Sequence, residues 1–277
     1  MLTGKTKLIP LFGHPIEPVK APFIYNPWFD KHGIDAMVVP MGVRPEEYRT
    51  TLKSVFAFTN VHGALVTMPH KIMTMELVDE CTTTARIAGS ANAILKRPDG
   101  SLLGDMFDGT GFVRGLLRKG FVCRGAKCLV VGAGGVGSAI AASLAAAGMA
   151  RIDLFDTFTA LAEGLAGRLK AHYRELEVEL KAPDPAGYDL VVNCTPLGMK
   201  PDDPLPFDVS RLTPATFVGE VVSKAEMTPL LQAAQARGCR FQVGIDMLFE
   251  MIPAYLEFFG FGTATADELR GLAKIQY

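Results

Sequence analysis

The stretch from Lys127 to Gly137 constrains the fold of this chain more than any other. An apolar, β-prone run, Cys128-Leu129-Val130-Val131, ends in Gly132-x-Gly134-x-x-Gly137, and an alanine-rich segment from Ser138 to Leu144 follows. The pattern predicts a strand, a tight turn and a helix, the unit that brings backbone close to a pyrophosphate. Gly132 permits the turn, Gly134 lets the backbone approach the phosphates, and Gly137 lets the helix pack closely on the strand. Free N–H groups at the helix start, from Gly134, Gly135, Val136 and Gly137, then face the phosphates with the positive end of the helix dipole. A second β-like run, Ala150 to Phe155, is closed by Asp156. An acid about 20 residues beyond such glycines binds the ribose hydroxyls of a dinucleotide. A carboxylate accepts hydrogen bonds from the 2′-OH and repels a 2′-phosphate, and Thr157, Phe158 and Thr159 carry no positive charge. The expected cofactor is therefore NAD rather than NADP. Two plainer readings stay open: an empty structural Rossmann unit, and an Asp156 that only caps the following helix.

A chain of 277 residues, 49% hydrophobic and 21% charged, has material for two cores. With a net charge of −1 and no basic block, nucleic acid and anionic membranes are poor partners. No apolar run approaches the roughly 18 residues that span a bilayer, and the N-terminus has no long apolar region of the signal-peptide type. Cys81, Cys123, Cys128, Cys194 and Cys239 form no CxxC pair, which argues against a disulfide framework or a metal site and suits a reducing cytoplasm.

Along the chain, strands are expected at Leu8 to Phe12, Ala36 to Val39, Gly63 to Met68 and Ala91 to Leu95. Helices are expected at Pro22 to His32, interrupted by Pro27, at Pro45 to Phe56, and around Val78 to Ala85. Pro98-Asp99-Gly100-Ser101 signals a hairpin. After a helix from Gly109 to Lys119 comes the dinucleotide unit, then a helix from about Thr159 to Leu176. Further strands are expected at Asp189 to Asn193, Phe217 to Val222 and Arg240 to Val243, with a helix from Pro229 to Arg237. The apolar tail, Leu248 to Phe259, reads as a helix that returns to the first domain.

Several short motifs fall in the order of one family, and the chain resembles the shikimate dehydrogenases over nearly its whole length. The motifs are Gly13-His14-Pro15-Ile16, Val66-Thr67-Met68-Pro69-His70-Lys71, Gly89-Ser90-Ala91-Asn92, Asp108-Gly109-Thr110-Gly111, Asn193 to Met199, Thr228-Pro229-Leu230-Leu231, and Gly244-Ile245-Asp246-Met247-Leu248. The resemblance implies hydride transfer between a substrate carbon and a nicotinamide, with Lys71 and Asp108 as the catalytic pair. Lys71 shuttles the proton of the substrate hydroxyl and Asp108 orients it. Asp108 is equally placed to cap the helix after it. Thr67 and Asn92 are implied as substrate-binding residues, and Thr195, Pro196, Val221, Gly244 and Met247 as neighbours of the cofactor. Shikimate or quinate would be the substrate, with a place in aromatic amino acid biosynthesis.

The departures from the family pattern are as informative. Two serines that hold the shikimate carboxylate are Val19 and Ala21 here, and neither side chain donates a hydrogen bond. Leu65 stands for an Asn, Met106 and Phe107 for Asn-Thr, Ser223 for a Tyr, and Met251 for a Gln that contacts substrate. The proton-transfer half is kept and the carboxylate half is apolar. An unpaired buried carboxylate costs roughly several kcal/mol, so shikimate should bind poorly unless Lys20, His14 or Tyr25 moves in. His14 and His70 flank the expected site and read as hydrogen-bonding loop residues.

The resulting expectation is a two-domain α/β protein. An N-terminal α/β substrate domain, 1–103 plus 247–277, joins a doubly wound Rossmann domain, 104–246, for NAD, with Lys71 and Asp108 in a cleft at the domain interface. The expected activity is reversible, NAD-dependent oxidation of a small cyclic or polyol-type alcohol by a cytoplasmic monomer or homodimer. The rivals are a true shikimate or quinate dehydrogenase with a rebuilt carboxylate site, and a non-catalytic sensor of NAD or ligand.

Overall fold

The computed structural model describes residues 2–200, 202–223 and 227–274. The chain forms two units, one built from residues up to Phe107 and from Ile252 onward, the other from Asp108 to Met251. Residues 275–277, the end of the tail assigned above to the first domain, lie outside the described residues.

The first unit alternates strand and helix: β1 (Lys7–Gly13), α1 (Pro22–Lys31), β2 (Ala36–Gly42), α2 (Pro45–Phe56), β3 (Gly63–Val66), α3 (Lys71–Thr74), β4 (Glu80–Cys81), α4 (Thr83–Ala88), β5 (Ala93–Lys96) and β6 (Leu102–Asp105). Its sheet runs β2-β1-β3-β5-β6-β4, with β5 antiparallel to both neighbours. The hairpin signal accounts for the reversal between β5 and β6. Gly100 takes a φ of +89°, and Asp99 accepts hydrogen bonds from the Ser101 N–H at 2.9 Å and hydroxyl at 2.7 Å. The amphipathic α2 buries Tyr48, Leu52 and Phe56, one residue per turn, and Tyr48 meets Phe12 of β1 edge-on at 5.8 Å.

Pro27 does not interrupt α1. The carbonyl it cannot serve, that of Phe23, instead accepts the N–H of Lys274 from the tail at 2.9 Å. The expected helix at Val78 to Ala85 is also corrected. Glu80–Cys81 pairs with β6, and the helix starts only after Thr82, whose hydroxyl caps it by accepting from the Ala85 N–H at 3.3 Å.

The second unit contains α5 (Asp108–Arg118), β7 (Lys127–Val131), α6 (Gly135–Ala146), β8 (Arg151–Phe155), α7 (Thr159–His172), β9 (Glu177–Leu180), β10 (Leu190–Asn193), β11 (Phe217–Glu220), α8 (Pro229–Ala236) and β12 (Arg240–Gln242), and α9 (Gly244–Phe258) begins in it and passes into the first unit at Ile252. α9 runs on into the tail, where α10 (Ala266–Leu272) joins the first unit and Glu268 pairs with Lys31 of α1 at 3.1 Å. All six strands are parallel, in the order β12-β11-β10-β7-β8-β9. That is a doubly wound sheet whose chain reverses its direction of travel between β7 and β10. The helix expected to reach Leu176 ends at His172. Residues Glu177–Leu180 form an edge strand instead, with Val178 buried on β8. Among the described residues no helix is long and apolar enough to cross a membrane.

Candidate active site

At the topological switch point, the loops after β7 and β10 leave the C-terminal ends of adjacent parallel strands, and the glycine turn is the first of them. Gly132 has a φ of +103°, and a β-carbon there would lie 2.8 Å from the Cys194 carbonyl carbon and 3.0 Å from the Thr195 nitrogen. A β-carbon on Gly137 would collide with the Gly132 carbonyl. Above the turn the situation reverses, because no atom lies within 4 Å of a β-carbon built on Gly134 or Gly135. The turn is thus drawn tight underneath and open where α6 presents its first N–H groups, including that of Val136, as a pyrophosphate requires.

Asp156 follows β8, half-buried, with its carboxylate turned to this loop. Oδ2 accepts the Ala133 N–H at 2.7 Å and Oδ1 the Phe158 N–H at 2.8 Å. It therefore braces the glycine turn and also orders the residue before α7. Each carboxylate oxygen retains a further acceptor direction for a ribose hydroxyl.

A buried polar network, which sequence reasoning missed, joins the loops after β10 and β11. Glu220 is fully buried and accepts from Asn193 Nδ2 at 3.1 Å, the Val221 and Val222 N–H groups at 2.9 and 3.0 Å, and the Thr228 hydroxyl at 3.1 Å. Asn193 Oδ1 accepts both the N–H and the hydroxyl of Thr195, at 3.0 and 2.7 Å. Burial pushes the Glu220 carboxyl above the usual carboxylate range, although these hydrogen bonds pull the other way. The network fixes Thr195 and Val221 just beyond the ends of β10 and β11, and Pro196 is exposed. Gly244 sits directly on the Val222 carbonyl, and the Met247 carbonyl lies 2.6 Å from where a β-carbon of Gly111 would be. Met251, named from the sequence as a substrate-side residue, packs on Gly111 as well, with its Cβ 2.5 Å from that position. Glu220→Ala is expected to cost about 3 kcal/mol or more, because several buried donors lose their acceptor together. Urea unfolding of both proteins measures it. Glu220→Gln keeps one acceptor oxygen and should cost clearly less, and an alanine variant as stable as wild type would contradict the network's role.

In the first unit, Lys71 opens α3 and is half-buried. Its carbonyl accepts the Ala91 N–H at 2.9 Å, and the neighbouring Asn92 carbonyl accepts the Val66 N–H at 2.8 Å. Lys71, Thr67 and Asn92 thus lie beyond the C-terminal end of β3 and the adjoining N-terminal end of β5. Thr67 Cγ2 fills the space over Gly13, 2.5 Å from where a β-carbon would stand. Asn92 is buried and its Oδ1 accepts the Phe107 N–H at 2.9 Å, which fixes the direction of the amide. His70 is not a surface loop residue. It is 1% exposed, stacks on Tyr48 with ring centroids 4.0 Å apart, and bonds Val43 O through Nε2 at 2.8 Å. Burial lowers its pKa, so it serves as a neutral anchor for the start of α3. His14 remains exposed.

Val19 and Ala21 are half-buried at the start of α1, and Leu65, Met106 and Phe107 are buried. Phe107 stacks edge-on with Tyr255 at 4.8 Å. Asp108 is the first residue of α5 in the second unit and is 5% exposed.

Known proteins resemble this chain in sequence and fold. Residues 11–94 match the model of the shikimate dehydrogenase substrate binding domain, and residues 122–158 match the ThiF family. A shikimate dehydrogenase (NADP(+)) of Rubrobacter xylanophilus is 36% identical over 251 residues, 89% of this chain and 88% of its own length. The chain belongs to the shikimate dehydrogenase family. Among solved members, the Listeria monocytogenes shikimate 5-dehydrogenase in complex with shikimate and NAD superposes with a TM-score of 0.91. It is 28% identical and covers 98% of this chain and 97% of its own. The ligand-free 5-ketofructose reductase of Gluconobacter sp. strain CHM43 reaches 0.88 at 25% identity, over 97% of this chain and 98% of its own. Structures similar to this chain thus include enzymes named for an acid and for a keto-sugar.

Proposed function

We propose that this family member is an NAD-preferring oxidoreductase that interconverts a secondary alcohol and a ketone on a small, uncharged, polyhydroxylated substrate. The observation that carries the reading is the sequence's combination of apolar side chains at Val19, Ala21, Leu65, Met106 and Phe107 with a retained Thr67, Lys71, Asn92 and Asp108. The Gluconobacter neighbour supports it, since its name gives it a neutral keto-sugar. A bound nicotinamide dinucleotide supplies the hydride acceptor or donor. Lys71 passes the proton to or from the substrate oxygen, and Asp108 supports the lysine's charge. Thr67 and Asn92 bind hydroxyls, and the glycine turn with Asp156 holds the dinucleotide.

The second reading is a shikimate or quinate dehydrogenase with a carboxylate site rebuilt elsewhere. The names of the Rubrobacter and Listeria proteins favour it. A screen of polyols, ketoses, shikimate and quinate with either dinucleotide, read as NAD(P)H absorbance, separates the two. Shikimate as the best substrate would sink the first reading, and no turnover at all would leave a sensor.

The cofactor preference rests on Asp156. NAD is expected to bind about tenfold or more tighter than NADP, because placing a phosphate against this carboxylate easily costs about 1.4 kcal/mol. Calorimetry with both dinucleotides checks it, and Asp156→Ala should narrow the gap. NADP binding as tight as NAD would refute the assignment.

A further inference from the structure

We propose that Phe158 is the adenine platform of the dinucleotide site, its ring stacking on the base, a proposal that rests on the dinucleotide reading above. The helix α7 buries Ala162, Leu165, Ala166 and Leu169, a stripe with helical spacing. Phe158 and Leu161 stand one turn before Ala162 and Leu165, so they carry the same stripe on toward the helix start. There the stripe leaves the core, with Phe158 73% exposed and Leu161 47%. Folding does not account for a phenylalanine at this point. Phe158 is the N-cap of α7, a position that favours Ser, Thr, Asp or Asn, and its side chain supplies no cap.

The residue is tied to the groups assigned to the cofactor. Its N–H donates to Asp156 Oδ1 at 2.8 Å, while Asp156 Oδ2 accepts the Ala133 N–H of the glycine turn at 2.7 Å. Its carbonyl accepts the Leu161 N–H at 2.9 Å. The backbone of Phe158 is thereby fixed against the carboxylate that reads the ribose hydroxyls. In a dinucleotide the adenine is bonded to the ribose carbon next to the one bearing the 2′-OH. A ribose held by Asp156 therefore delivers its base beside this carboxylate. Of the three residues that follow Asp156, the two threonines are small and polar, and Phe158 offers an apolar π-face. Such a ring stacks on a purine without reading its edges, and the contact takes apolar surface of both out of water. An uncharged ring is also indifferent to a 2′-phosphate, so the contributions of Phe158 and Asp156 are separable.

Calorimetry with NAD, NADP and ADP-ribose tests this, the last probe carrying the adenosine half without the nicotinamide. Phe158→Ala is expected to weaken all three by about five- to hundredfold, the usual loss when an aromatic ring under a base is removed. Phe158→Tyr keeps the π-face and should bind close to wild type. The Tm without ligand should hardly move, because the ring lies outside the core. Phe158→Trp adds a reading independent of affinity. The natural chain has a single tryptophan, the buried Trp28 of the first unit, so ADP-ribose should quench the new indole and leave wild-type fluorescence unchanged. An alanine variant that binds ADP-ribose as wild type does overturns the proposal, as does a tyrosine variant as weak as alanine or an indole that ADP-ribose does not quench. If wild type binds NADP as tightly as NAD, the preference assigned to Asp156 fails by itself, and Phe158→Ala should still weaken both. If wild type binds none of the three probes, the dinucleotide reading and the platform fall together.

Discussion

Lys71→Ala is expected to lower kcat by about 10²–10⁴, the usual contribution of a positioned acid–base group, while dinucleotide affinity stays at the wild-type level. The lysine is built into the first unit and anchored on both sides. His70 before it is stacked on Tyr48 and bonded to Val43, and its own carbonyl is tied to Ala91. Removing the side chain beyond Cβ therefore deletes the amine without loosening the start of α3. The glycine turn and Asp156 belong to the second unit and make none of these contacts. A turnover assay on the best substrate of the screen and calorimetry with NAD measure the two quantities. Wild-type kcat with an altered KM would reassign Lys71 to substrate binding, and weakened NAD binding would reassign it to the cofactor. Asp108→Asn should slow turnover as well, since a neutral amide no longer supports a charged lysine.

The parts of this molecule that were legible in its sequence are those specified by neighbours in the chain. The run from β7 through the glycine turn into α6 is a local pattern, and so are the amphipathic spacing of α2 and the Pro98–Ser101 hairpin. Elements that depend on distant partners were not legible. β9 has a single buried apolar residue, Val178, and exists because β8 offers it an edge. α1 survives Pro27 because Lys274 reaches back to the orphaned Phe23 carbonyl. The same distinction runs through the site. Gly132, Gly137 and Asp156 carry their mechanics in their spacing. Glu220 gave no signal, because its side-chain donors come from the end of β10, at Asn193, and the start of α8, at Thr228. His70 looked like a loop residue because nothing nearby in the chain announces that Tyr48 will cover it.

Shikimate is expected to be a poor substrate, with a kcat/KM roughly two to four orders of magnitude below that of a specific enzyme, since two hydrogen bonds to a charged group are missing and each is worth about 1.5–3 kcal/mol. The missing donors are the side chains of Val19 and Ala21, at the start of α1, where the chain is half-buried. The buried residues Leu65, Met106 and Phe107 supply no charge in compensation. The double change Val19→Ser with Ala21→Ser restores two hydroxyls and should raise kcat/KM for shikimate. Recovery should be incomplete, because Leu65, Met106 and Met251 keep their apolar side chains. The same double variant should lose activity on a neutral substrate, because two hydroxyls replace the apolar side chains of Val19 and Ala21. Opposite movement on the two substrate classes is the expected signature of a site whose specificity is set by charge. A wild-type kcat/KM for shikimate in the range of about 10⁴–10⁸ M⁻¹s⁻¹ that enzymes show on their own substrates would refute the prediction. It would mean that another group holds the carboxylate, with Lys20, next to both altered positions, the first to replace.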